Sequence, residues 1–74
     1  MEYVVVKYPT ERDVYIDWKT AGKTNHSLMV EKGHHRFDLG RPADYVPDSR
    51  HVVVENTTEL TPLILEFSPK GVNS

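Results

Sequence analysis

His34-His35-Arg36-Phe37-Asp38-Leu39 alternates along its whole length, with His35, Phe37 and Leu39 on one side and His34, Arg36 and Asp38 on the other. Successive side chains of an extended chain point to opposite faces, so the run reads as a strand with one face toward a core. Lys32-Gly33 and Gly40 frame it with turn signals. The same period runs outward in both directions. Asp13 to Trp18 sets Val14, Ile16 and Trp18 against Asp13, Tyr15 and Asp17. Arg50 to Glu55 turns Val52 and Val54 inward, and Pro62 to Ser68 does the same with Leu63, Leu65 and Phe67. The Val-rich run Glu2 to Tyr8 is apolar on both parities and reads as a strand lying against the sheet, closed by Pro9, which has no amide hydrogen for a ladder. Leu28 and Val30 supply a further inward pair beyond the polar stretch Thr24 to Ser27. Lys19-Thr20-Ala21-Gly22-Lys23 reads as the hairpin loop before it, with Gly22 at positive φ. Nowhere do apolar residues keep helical spacing for three turns. Asn56-Thr57-Thr58-Glu59 turns the chain, or caps one helical turn at most before Pro62.

Ten Val, two Ile and six Thr stand against two Ala and five Leu, a balance that favours strands. The fold class is therefore all-β, a small antiparallel β-sandwich of about six to seven short strands. At 74 residues the chain holds one domain, 1–74, with its core over about 2–68 and a frayed tail over 69–74. Gly40-Arg41-Pro42-Ala43-Asp44-Tyr45-Val46-Pro47-Asp48 reads as the longest segment without a ladder and the place for local mobility. Cysteine is absent, which excludes a disulfide scaffold, a thiolate metal site and a cysteine nucleophile. A formal charge of −2 lacks the basic stripe that nucleic acid requires, so no nucleic-acid partner is expected. The apolar run near Met1 is too short for a secretory signal or a membrane span. The chain as given reads as cytoplasmic and not membrane-inserted, and a piece of an exported protein would read the same way.

Val14-Tyr15-Ile16-Asp17-Trp18, Ala21-Gly22-Lys23-Thr24 and Leu28 through Phe37 together resemble a PEGA domain. The likeness spans about Val14 to Phe67, with Gly22 and Thr24, Gly33 and His35, Tyr45 and Pro47, and the Val52/Val54 strand in family order. The name-giving Pro-Glu-Gly-Ala is replaced by Pro9-Thr10-Glu11-Arg12, and Asn25 stands for the usual proline. Trp18 stands where the family has Gly after Asp17, and a bulky side chain there resists positive φ. The resemblance implies a compact β-sandwich module attached to surface, S-layer-like, regulatory or kinase-associated proteins. It implies no catalytic activity and brings no site residues.

Candidate chemistry is sparse. His34 and His35 are adjacent, so on a regular strand they face opposite ways and do not share a metal. His35 instead reads as a partly buried imidazole bonded to a turn carbonyl. Gly22-Lys23-Thr24 lacks the upstream glycine and following helix of a phosphate loop. Asp13 and Asp17 flank Tyr15 on the outward row, where solvated strand charges protect a sheet edge. Asn25-His26-Ser27 and Asn56-Thr57-Thr58 fit a glycosylation pattern that matters only in a secretory route. The aromatics Tyr15, Trp18 and Tyr45 admit two readings: exposed anchors for a partner or a sugar ring, or Tyr45 covering the open end of the sandwich with Trp18 plugging its core. The expected function is a non-enzymatic interaction or assembly module without a cofactor. Its contact surface is placed at Tyr15, Tyr45, Arg41 and Asp44, with edge strands as further contact regions. Its partner is another protein or a second copy of itself. A carbohydrate-binding module is the second class, and a small metal-binding protein the third.

Overall fold

A computed structural model of the chain describes residues 1–70. Nine short strands follow one another among them: β1 (Glu2–Lys7), β2 (Asp13–Ile16), β3 (Lys19–Lys23), β4 (Ser27–Val30), β5 (Gly33–Asp38), β6 (Tyr45–Val46), β7 (Arg50–Val54), β8 (Leu63–Glu66) and β9 (Ser68–Pro69). One sheet has the order β4-β1-β8, a second the order β3-β2-β5-β7, and β6 pairs with β9 as a short ribbon. The described residues contain no helix long and apolar enough to cross a membrane.

The period-two reading accounts for the core. Val4, Val6, Leu28, Val30 and Leu65 point inward from the first sheet and meet Val14, Phe37 and Val54 of the second, while Leu39, Tyr45 and Phe67 close the cluster. Strand β1 is central in its sheet, as its doubly apolar sequence predicts. The fold is all-β but not uniformly antiparallel. β1 and β8 run parallel, from Val4 opposite Leu63 to Lys7 opposite Glu66. Parallel neighbours need a long crossover, and here everything between them, including the whole second sheet, supplies it. The strand count exceeds the expected six to seven because two segments read as loops carry ladders, and Ser68–Pro69, at the junction with the expected tail, pairs with one of them.

The first is Lys19–Lys23, which is strand β3 and not a turn. The hairpin turns one step earlier, at Asp17 and Trp18, both at positive φ (52° and 73°). Two such residues make the tight loop whose twist matches the flanking strands. Trp18 therefore leaves the inward row and stands 73% exposed, so it does not plug the core. Gly22 still matters, for a different reason: the buried side chain of Leu28 occupies the space a Cβ would need. The second is the Gly40–Asp48 segment, whose Tyr45–Val46 pairs with Ser68–Pro69. The peptide bonds before Pro42 and Pro47 are cis. The Lys70 amide donates to the Asp44 carbonyl at 2.8 Å, so Pro69 and Lys70 are tied to the domain and do not fray. The rest of the expected tail, 71–74, lies outside the described residues.

Candidate functional site

On the outer face of the second sheet, parity places Tyr15 of β2 beside Asp38 of β5, and the two are register partners. Around them opens a cleft of about 530 Å³ lined by Tyr15, Trp18, Arg36, Asp38, Gly40, Arg41, Ala43, Tyr45 and Asp48. That volume falls within the range of small-molecule and peptide-side-chain sites. One wall is the Asp17-Trp18 turn, and the other is the start of the Gly40–Asp48 segment. The Arg36 guanidinium lies over the Trp18 ring, 3.6 Å from its centroid, and pairs with the Asp38 carboxylate. Asp38 is outward by parity yet only 6% exposed, because this segment folds over it; it also accepts from the Gly40 amide at 2.8 Å. Gly40 has φ 71° and sits against the Tyr15 ring so closely that any Cβ would strike it. Arg41 and Asp48, at the rim, enter no ion pair among the described residues. With Arg36 offset by Asp38, the cleft presents aromatic walls and one opposed pair of uncommitted charges.

Three of the four expected surface residues, Tyr15, Arg41 and Tyr45, thus line one cleft. Tyr45 is not an exposed anchor, however. It is 3% exposed and stacks edge-on to Phe67 and Tyr8, with centroids 5.6 and 6.5 Å away, at the end where β1 and β8 finish. Its hydroxyl donates to the Gly40 carbonyl at 2.8 Å and accepts from the Leu39 amide at 3.2 Å. It covers the open end of the sandwich. The roles foreseen for two aromatics are therefore divided differently: Tyr45 seals and Trp18 is presented. Asp44 does not line the cleft. Its carboxylate accepts from Arg12 at 2.5 Å, and Arg12 also donates to the carbonyls of Pro42 (2.8 Å) and Leu39 (3.4 Å). Arg12 lies over the Tyr45 ring as well, 5.0 Å from its centroid, and so pins Pro42, Asp44 and Tyr45 in the segment expected to be mobile.

The remaining chemistry-bearing residues are separated. Asp13 pairs with Lys23 at 2.6 Å and Asp17 with His35, so the two carboxylates serve different partners. His34 does not approach His35; its ring lies 6.0 Å from that of His51 on the neighbouring strand. Among the described residues no group of three His, Cys, Asp or Glu converges to hold a metal. Thr24, at the end of the phosphate-loop-like stretch, is fully buried, donating to the Thr10 carbonyl and accepting from the Arg12 amide, each at 2.9 Å. His35 bonds the Glu31 carbonyl through Nε2 at 2.7 Å, the turn carbonyl anticipated for it. Sequence reasoning missed Arg36 and Asp38 as cleft residues and misplaced Trp18 inside. The available signal was Trp18 itself, at a turn position where glycine is favoured.

No protein-family model, curated protein or solved structure matches the chain.

Proposed function

We propose that the chain is a non-enzymatic interaction module of PEGA-like kind, and that the cleft between the Asp17-Trp18 turn and the Gly40–Asp48 segment receives a protein partner. The observation that carries this is Trp18. A non-glycine residue at left-handed φ costs roughly 1–2 kcal/mol, and an indole left in solvent contributes little to a core. Breaking a local rule without a packing return is the mark of a functional position. Tryptophan and arginine are also the side chains on which interface energy concentrates, and here they are stacked on each other at the mouth of a cleft. The PEGA-like reading draws support from Gly22 and Thr24, whose matched positions hold backbone and core contacts, as the resemblance implies for structural positions.

A second reading, carbohydrate binding, is favoured by one feature: Tyr15 and Trp18 border the same cleft as Arg41 and Asp48. Aromatic faces stack on sugar rings, while such charged groups bond hydroxyls. The test is to immobilise the wild-type chain and Trp18→Gly and compare what each retains, alongside amide shifts on adding soluble cell-wall oligosaccharides. A protein retained by the first and lost from the second, at unchanged melting temperature, supports a protein partner. Shifts confined to Tyr15, Trp18 and Arg41 move the reading to sugars. Light scattering over a hundredfold concentration range, on the order used for mass-action linkage, reads self-association.

A further inference from the structure

The turn that presents Trp18 is tied to β5 by the backbone of Arg36, whose carbonyl accepts from the Asp17 amide at 2.8 Å, and by one imidazole. Oδ1 of Asp17 accepts from the Arg36 amide at 3.0 Å, and Oδ2 lies 2.6 Å from Nδ1 of His35. The other ring nitrogen, Nε2, lies 2.7 Å from the Glu31 carbonyl oxygen. Both neighbours are acceptors, and a neutral imidazole has only one N–H to give. The two contacts are hydrogen bonds together only when His35 is an imidazolium. The ring is edge-on to Phe37 and mostly covered, while the Asp17 carboxylate is half exposed.

The acidic groups that face the ring act in one sense, favouring its charged form. The Asp17 carboxylate faces it from the β2–β3 turn, and Glu31 from the β4–β5 turn adds both its carbonyl and the attraction of its side chain. Ile16, Ala21, Met29 and Val30 line the same shallow hollow without charge; Met1 lines it too and brings the amino terminus. His34 is next in sequence but turned to the opposite face, beside His51. The bond to Asp17 raises the His35 pKa above its ordinary 6.5, against the opposing effect of burial. The same bond, with the Arg36 amide, lowers that of Asp17.

We propose that His35 is a pH-operated clasp on the binding cleft: its imidazolium tightens the Asp17-Trp18 turn, and its deprotonation loosens that turn and the Trp18 wall of the cleft. This rests on the cleft being the binding site, and it makes His35 a positioning residue that itself touches no partner. A neutral ring keeps one of its two bonds and faces the other acceptor with a lone pair. Whichever bond is kept, the ion pair between the imidazolium and Asp17 is gone, and the turn residues, both at positive φ, are left with the two Arg36 backbone bonds alone. Trp18 is the only tryptophan of the chain, so its indole reports the state of the turn without ambiguity.

The experiment is a nuclear magnetic resonance titration of the ligand-free chain from acid to alkaline pH, following the His35 ring, the Trp18 indole N–H and the Arg36 amide. The expected result is one shared midpoint above 6.5 for all three, and a return of the His35 midpoint toward 6.5 in Asp17→Asn. That variant keeps an oxygen for the Arg36 amide and a residue that tolerates positive φ, so the turn itself survives. In His35→Gln the pH dependence of the Trp18 signal disappears. A His35 midpoint at or below 6.5, or a Trp18 indole that stays still while His35 titrates, overturns the clasp. The readout needs no partner: a chain whose Trp18 follows His35 but which retains nothing at either pH keeps the clasp and loses the cleft.

Discussion

Thr24→Val replaces a hydroxyl by a methyl of nearly equal size at a fully buried position, so it isolates hydrogen bonding from packing. The hydroxyl accepts from the Arg12 amide and donates to the Thr10 carbonyl, both at 2.9 Å, while the Thr24 amide donates to the Arg12 carbonyl at 2.8 Å. The side chain thus staples the Pro9–Arg12 connection to the end of β3. Losing both side-chain bonds and leaving their backbone partners without protein contacts costs about 2–3 kcal/mol, and the buried methyl returns about 0.8 kcal/mol. A net loss of about 2 kcal/mol lowers the melting temperature of a domain this small by roughly 8–16 °C. Thr24→Ser keeps the hydroxyl and loses one methyl, a milder cost of about 1 kcal/mol. Thermal and urea unfolding followed by circular dichroism, on wild type and both variants, ranks them. The expected order of stability is wild type, Ser, Val. A Val variant as stable as the Ser variant would refute the view that these bonds, and not simple volume, fix the site. The loss should also reach the cleft, because Arg12 is the residue that pins Pro42 and Asp44.

The two tyrosines of the cleft should part company on truncation. Tyr45→Ala removes a buried ring and two hydrogen bonds and unfolds or strongly destabilises the domain, by about 3–5 kcal/mol, whereas Tyr15→Ala costs less and alters the cleft; a melting comparison decides. Trp18→Gly relieves left-handed strain and gives up one arginine stack, so stability stays within about 1 kcal/mol of wild type by urea unfolding. Arg12→Lys keeps the charge but cannot reach two carbonyls and a carboxylate at once, and amide exchange over Gly40–Asp48 should quicken. For pH, the His35 pKa is raised and that of Asp17 lowered, so their mutual stabilisation is complete between the ordinary values of 3.8 and 6.5. It fades as pH climbs through the raised His35 value and as pH falls through the lowered Asp17 value. Glu2, held low by its bonds to Thr57, adds to the acid loss. Urea midpoints that rise from pH 6 to pH 9 would contradict this sign.

Much of the fold is legible because a strand writes its environment into alternate letters. Val14, Phe37, Val54, Leu65 and Phe67 are inward by count and buried in fact. Parity carries no information about where a strand stops. Trp18 continues the inward row of Val14 and Ile16 on paper, but the chain reverses at Asp17, and the indole goes to solvent. Tyr45 shows the converse: proline and glycine neighbours mark a loop, yet its ring finds a place against Phe67 and Tyr8 that no local pattern records. Of the proposed surface, Tyr15 and Arg41 were identifiable as outward or loop residues, while Arg36 and Asp38 join them only because β2 and β5 are neighbours.

By itself, then, the sequence determined the all-β class, the inward faces and most of the turns, since period-two alternation and turn residues act within a few positions of the chain. Tertiary structure alone decided the parallel pairing of β1 with β8, the sealing of one end by Tyr45 and the meeting of Trp18 with Arg36. It alone also decided the bond between His35 and Asp17. These join residues separated by many positions, and their partners are chosen by which surfaces remain uncovered once the two sheets have packed.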